Sequence, residues 1–318
     1  MQALAESGAG EIAALCEPDP RRLDAAIAAL DTEPALCGDF DELLDEPLDG
    51  IVIATPNALH APQAAAALER GIAVFCQKPL ALTAKDTVKI VELARRHDLP
   101  LGVDWSYRFL AGVPELKCAI ARAELGTVTA AELCFHNAYG PDAGWYYDVA
   151  RSGGGCLLDL GCHLLDLCHW LLGAGEPQTV NARCFSAGRR LEPPVACAED
   201  FVIADVLYAG GVDAHLSCSW RASAGRGAII GCRIFGTEGG AAIRNVAGSF
   251  YDFEVELCRG AESVPLAAPP DAWPGRALID WARRVGDGEG CDPDTAHLIT
   301  TARVIDRIYG REAGDGAA

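Results

Sequence analysis

The sequence is short of positive charge: 26 lysines and arginines face 45 aspartates and glutamates, a formal net charge of −19. A general nucleic-acid binder needs clustered basic side chains to meet phosphates, so that class is excluded. An anionic ligand would need a local site made of backbone N–H groups or a placed lysine. Long apolar runs are missing as well. All fall far short of the roughly 20 residues that a bilayer span needs, so no membrane partner is expected. Residues 1–7 carry neither a basic n-region nor a long apolar core, nothing there directs export, and a cytoplasmic location is expected. There is no C-x-x-C pair. The fourteen cysteines scatter from Cys16 to Cys291, mostly inside apolar runs, which suits reduced thiols used as small hydrophobes better than a disulfide framework. The densest group is Cys156, Cys162, His163, Cys168 and His169. On a helix, members six apart point roughly 120° from each other, so they cannot converge on one ion, and a metal site is rejected.

What the chain does have is length and apolar content. Its 318 residues, 50% hydrophobic, suffice for two domains and a sizeable core, without internal repeats. In the first 110 residues, short apolar runs alternate with helical patterns. Strands are predicted at 11–17, 35–37, 51–55, 72–76 and 101–103, and helices at 20–30, 40–44, 59–70 and 84–97. Asp19, Asp39 and Thr83 stand at N-cap positions, Pro20 at a first helical position, and Gly71 just past a helix end. Such alternation predicts a parallel α/β sheet, in which ligands sit beyond the carboxyl ends of the strands. Those ends carry Glu17, Thr55-Pro56-Asn57, Gln77-Lys78-Pro79 and Asp104-Trp105-Ser106-Tyr107-Arg108.

From residue 111 the rhythm changes. A helix from near Val113, a strand at 127–136 and a polar-aromatic loop at 143–148 lead into Gly153-Gly154-Gly155-Cys156-Leu157-Leu158-Asp159-Leu160-Gly161-Cys162-His163. Strands follow near 178–185, 201–208, 212–220, 228–235, 241–245 and 250–258, with Gly210-Gly211 as a hairpin turn, then helices from Trp273 and Asp294. On a regular helix Asp159 and His163, four apart, project side by side, and Asp166 and Trp170 continue the stripe. The bland reading is a solvated helix face. The functional one is an acid that orients a histidine and stabilises its charged form while it takes a proton from a hydroxyl.

Three segments of the first part, Val52-Ile53-Ala54-Thr55-Pro56-Asn57-Ala58-Leu59-His60, Gln77-Lys78-Pro79-Leu80-Ala81 and Tyr107-Arg108-Phe109, precede the glycine run with Asp159 and His163, and Phe235-Gly236-Thr237-Glu238-Gly239-Gly240 follows it. In that order they resemble the Gfo/Idh/MocA family of NAD(P)-dependent oxidoreductases, from about Glu11 to the C-terminus. The resemblance implies an α/β plus α+β chain. A Rossmann-type dinucleotide-binding domain over 1–110 would precede an open antiparallel-sheet domain over 111–318, which binds substrate and often packs against another subunit, so a homo-oligomer is expected. It implies NAD or NADP, and hydride transfer between nicotinamide and a hydroxyl or carbonyl of a sugar, cyclitol or related polyol. The catalytic residues would be His163, taking the hydroxyl proton, Asp159, orienting it, and Lys78, stabilising the oxygen. Thr55, Asn57, His60 and Gln77, together with Lys78, would line the nicotinamide and its ribose. Glu17 would bond the adenosine ribose 2′-hydroxyl and favour NAD, a preference that Arg21 and Arg22 weaken. Arg108 and Trp145 are candidate substrate residues. His97, His136, His169, His215 and His297 are read as structural.

Two departures accompany the resemblance. The family's glutamate-lysine-proline motif appears as Gln77-Lys78-Pro79, and the opening strand with its G-x-G-x-x-G turn for the pyrophosphate is missing. Ser7-Gly8-Ala9-Gly10 is no substitute, since no strand precedes it and a strand follows. That missing strand is central, so two neighbours would be left unpaired. A translation start set too late, a fragment or a degenerate relative would each explain it, and the first is preferred because the rest of the site is intact. The same departures keep two alternatives in view, a non-catalytic ligand sensor of this fold and a redox-neutral NAD-using lyase or glycosidase.

Overall fold

The computed structural model describes residues 2–311. After α1 (Gln2–Ser7) the first part alternates through β1 (Ala14–Cys16), α2 (Pro20–Ala28), β2 (Ala35–Cys37), α3 (Phe40–Leu44), β3 (Gly50–Ile53), α4 (His60–Glu69), β4 (Ala73–Cys76), α5 (Ala84–His97) and β5 (Leu101–Val103). Every strand pairing here is parallel. The caps stand where the sequence puts them. Asp19 accepts from Arg21 N, Asp39 from Glu42 N and Thr83 from Asp86 N, each bond contributing about 1 kcal/mol to its helix.

These strands do not make one sheet. β1 and β2 form a ribbon of their own, and β3, β4 and β5 a separate three-stranded sheet. Burial records the break: Leu36 on β2 is 56% exposed and Val52 on β3 43%, while every residue of β4 is buried. Neighbours left without their shared strand are what the sequence leads one to expect.

The second part runs through α6 (Val113–Ala121), β6 (Val128–Asn137), α7 (Val149–Ser152), α8 (Cys162–Leu172), β7 (Pro177–Ser186), β8 (Arg189–Leu191), β9 (Phe201–Tyr208), β10 (Asp213–Ser219), β11 (Ala228–Gly236), β12 (Gly240–Asn245), β13 (Phe253–Arg259), β14 (Glu262–Ala267), α9 (Arg276–Gly286) and α10 (Ala296–Tyr309). Nine strands form one sheet in the order β14-β13-β12-β11-β6-β10-β9-β7-β8. The sheet is mixed rather than wholly antiparallel, because β6 and β10 run parallel. The two are joined through the long excursion over α7, α8, β7 and β9, the kind of crossover a parallel pair requires. Alternation along β9 and β10 buries Val202, Ala204, Val206 and Tyr208 with Ala214, Leu216 and Cys218 on the face that takes the helices.

The helical run Val149–Leu172 is long and apolar enough to cross a bilayer, which the sequence reading did not anticipate, yet 78% of its most apolar window is buried inside the protein. It is a core helix. The cysteines are unbridged, and most are buried. α9 returns to the first part: Trp281 lies 5.7 Å ring to ring from Phe75 of β4 and donates to Pro100 O at 3.2 Å. In space, the first part's sheet is covered by a helix from much later in the chain.

Candidate active site

β4 delivers the lysine. Past Cys76, Gln77 N still donates to Ile53 O at 2.8 Å, holding this strand end against β3, and a cis peptide bond joins Lys78 to Pro79. The ring of His60, 1% exposed, lies between the two strand-end loops, with Nδ1 2.7 Å from Pro79 O and Nε2 2.7 Å from Thr55 O. Both nitrogens thus face main-chain carbonyls, and the neutral imidazole that burial favours donates to one of them. His60, expected beside the nicotinamide, fastens the two loops together through its ring.

The glycine run delivers the opposing wall. Gly153 is left-handed at φ +80°, and a Cβ on Gly155 would stand 1.9 Å from Glu199 O. Glu199 is completely buried. It accepts from Gly155 N and Leu157 N at 2.8 Å each and from Tyr309 OH at 2.9 Å, against a burial that pushes its carboxyl upward. Arg311, just past α10, donates to Gly153 O and to Leu82 O. An acid on the first N–H groups of a helix stabilises its start.

That helix opens with a π turn over Leu157–Gly161 before α8 begins. The extra residue in the turn breaks the 3.6-residue register on which a side-by-side Asp159 and His163 depended. Asp159 Oδ1 instead accepts from Lys78 Nζ at 2.9 Å, Oδ2 accepts from Trp220 Nε1 at 2.9 Å, and Asp159 O takes Lys78 Nζ at 2.7 Å. The carboxylate expected to orient His163 therefore orients Lys78.

Electrostatics separate the roles of the three residues. Lys78 and Asp159 side chains are each 15% exposed. Burial pulls the Lys78 ammonium toward neutrality, but the charge and hydrogen bond of Asp159, with Cys162 and Tyr146 nearby, together hold the pKa above its ordinary value. Burial, and then the Lys78 charge, push His163 well below the usual 6.5, so its imidazole is neutral at pH 7. Its Nδ1 is buried with no partner. Trp105 and Tyr107 meet the ring edge-on at 5.7 and 5.2 Å, and Tyr107 in turn stacks on Trp273. Trp145 stacks on Tyr146 at 3.9 Å. Burial raises Tyr146 and the Lys78 charge opposes the rise, which places that phenol beside the lysine. A fixed cation, a neutral imidazole and aromatic walls suit proton transfer from a hydroxyl and stabilisation of the resulting oxyanion.

The other expected site residues divide. Thr55 Oγ1 donates to Gln63 Oε1 at 2.7 Å, Asn57, 6% exposed, donates to Ser152 O at 2.8 Å, and Gln77 donates to Asp104 Oδ2 at 2.9 Å. All three stay at the strand ends. Arg108, expected to meet substrate, is held by protein groups. Its guanidinium lies bidentate on the buried carboxylate of Asp166, meets His297, and sits over Trp170 at 5.5 Å. The expected stripe of Asp166 and Trp170 is a seat for that arginine. Sequence reasoning passes over Trp220 and Glu199. Trp220 has a faint signal, an aromatic closing the alternation of β10; Glu199, in a loop between strands, has none.

A dinucleotide would meet this surface at two ends. The groups around Lys78 fit the nicotinamide end. At the end of β1, Glu17 Oε1 accepts from Asp19 N at 2.9 Å, leaving its other oxygen for a ribose hydroxyl. Between them, the described residues place no glycine turn between a strand and a helix ahead of β1. The fit is to the nicotinamide and ribose ends.

Two family models match the chain in succession. Residues 1–105 match the model of an oxidoreductase family with an NAD-binding Rossmann fold, and residues 113–242 match the GFO/IDH/MocA C-terminal domain. A 1,5-anhydro-D-fructose reductase of Ensifer adhaerens is 33% identical over 209 residues, 65% of this chain and 60% of the relative. A D-apiose dehydrogenase of Paraburkholderia graminis is 28% identical over 271 residues, 85% of this chain and 69% of the relative. The chain thus matches between 60% and 69% of the length of these two relatives. In fold, it superposes on a levoglucosan dehydrogenase in complex with NADH and L-sorbose with a TM-score of 0.80 at 22% identity, covering 98% of this chain and 93% of that one. An aldose-aldose oxidoreductase of Caulobacter crescentus complexed with glycerol gives 0.76 at 24% identity, covering 95% and 90%. With both domain models met in order and the fold shared throughout, the chain belongs to the Gfo/Idh/MocA family of oxidoreductases.

Proposed function

We propose that the protein is an NAD(P)-dependent dehydrogenase acting on a hydroxyl of a sugar, cyclitol or related polyol, or on the matching carbonyl in reverse. One observation carries this reading: Lys78, Asp159 and a neutral His163 meet beyond the carboxyl ends of the parallel strands, beside an aromatic loop. Relatives named as an anhydrofructose reductase and an apiose dehydrogenase support the substrate class.

A nicotinamide held beside Lys78 would supply hydride exchange with the carbinol carbon. His163 accepts the hydroxyl proton, through Nε2 because Nδ1 is sealed off. Lys78 stays charged and steadies the developing alkoxide, while Asp159, backed by Trp220, holds the ammonium in place. The free oxygen of Glu17 supports NAD over NADP, since a carboxylate there bonds a 2′-hydroxyl and repels a 2′-phosphate. The outer face of the mixed sheet leaves Phe201, Ile203, Leu207 and Ile229 only partly covered and Phe235 exposed, which supports a homo-oligomer through that face. The test is fluorescence titration of the purified protein with NADH and NADPH, then a screen of sugars and polyols for NADH formation. Tighter NADH binding and turnover of at least one polyol are expected; binding of neither cofactor would refute the reading.

A further inference from the structure

Gln77 stands beside Lys78 at the end of β4 and carries an uncharged amide with a donor end and an acceptor end. In isolation either end could face the cleft. The structure removes that freedom. Gln77 Nε2 donates to Asp104 Oδ2 at 2.9 Å, and Asp104, just past β5, is itself held to the end of β4 by its N–H on Cys76 O at 3.0 Å. Its second oxygen accepts from the Ser106 hydroxyl. An ionised carboxylate has no proton to give, so the amide atom that meets it must be the NH2 group. The carbonyl oxygen of Gln77 is thereby turned away from Asp104. We propose that Asp104 is a positioning residue that locks the Gln77 amide with Oε1 toward the cleft, where it accepts a hydrogen bond from a ligand hydroxyl. The site then presents a neutral acceptor beside Lys78 and keeps the negative charge of Asp104 one strand further away. Asp159 remains the carboxylate paired with that lysine.

The inference rests on the dinucleotide reading above, with the nicotinamide ribose supplying the hydroxyl. It is tested by exchanging donor and acceptor across the contact. Wild type, Gln77→Glu, Asp104→Asn and the double variant are compared for NADH affinity by fluorescence and for melting temperature without ligand. Gln77→Glu alone brings two carboxylates together, and affinity should fall by about tenfold, the scale of one lost charge-assisted hydrogen bond. Asp104→Asn alone lets the amide turn, with a loss of about threefold. In the double variant donor and acceptor have changed places, an oxygen still faces the cleft, and affinity should return to within about twofold of wild type. The melting temperature should fall in Gln77→Glu and recover in the double variant. Additive losses, or an unchanged Gln77→Glu protein, would overturn the proposal. If wild type binds neither NADH nor NADPH, the functional reading fails, and the melting temperatures judge the contact: recovery in the double variant supports it and additive loss overturns it.

Discussion

Removing the negative partner of Lys78 should show how the site holds a buried cation. The contact with Asp159 is 2.9 Å, and each side chain is 15% exposed. Two unit charges at that separation attract by roughly 6 kcal/mol at an effective dielectric of about 20. Withdrawing both from water costs several kcal/mol per ion, so the net worth of the intact pair is small. Asp159→Asn strands the ammonium, which keeps only uncharged acceptors. The expected cost is about 3 kcal/mol, the low end for a broken buried pair because some water still reaches both groups. Adding Lys78→Met should restore at least about 2 kcal/mol, since no charge is then left unpaired. The asparagine still offers an oxygen to Trp220 Nε1, so that bond is common to both variants. The assay is urea unfolding of wild type, single and double variants at neutral pH, followed by circular dichroism and compared at constant m-value. A single variant as stable as wild type, or a double variant no more stable than the single, would refute Asp159 as the counter-ion.

Three further outcomes follow from the same geometry. His163→Ala should lower turnover by roughly 10²- to 10⁴-fold and leave the NADH dissociation constant within about threefold; equal activity would remove it as the base. The histidine's depressed pKa predicts a wild-type oxidation rate whose acid limb lies below pH 6.5, and a limb at or above that value in a pH–rate profile would contradict the assignment. His169, 4% exposed between Thr301 and Tyr208, is pushed down to about 3 by burial. The unfolded chain therefore takes up this proton first, and stability is lost as pH falls from 6.5 toward 3. Between pH 7 and 5 the loss amounts to about 2 kcal/mol from this group, and the unfolding free energy of His169→Gln from urea curves should fall by that much less than that of wild type.

Much of the first part is legible in the sequence because its signals are local. A cap such as Asp39 acts three residues away, and β4 is buried on both faces and so reads as an unbroken apolar run. The location of the site is legible for the same reason, since polar residues gather where apolar strands stop. What eludes the sequence is set by register and by distance along the chain. A 3.6-residue period puts Asp159 against His163; the π turn sends it to Lys78 and Trp220, whose identity as partners depends on how β4 and β10 are placed. Arg108 looks available until Asp166 and His297 close on it from two helices. The alternation of β6 is the same whichever way its neighbour runs, so the parallel pairing with β10 leaves no trace in the pattern.

The last helix gives the site an unexpected dependency. Tyr309 grips the Glu199 carboxylate that shapes the glycine turn, Arg311 spans the carbonyls of Gly153 and Leu82, and Asp306 accepts from Ala84 N at the start of α5. One end of the chain thus clasps both walls of the cleft, the one that brings Lys78 and the one that brings Asp159 and His163. The walls are tied to a common post, so the spacing between Lys78 and His163 depends on a helix that supplies neither residue.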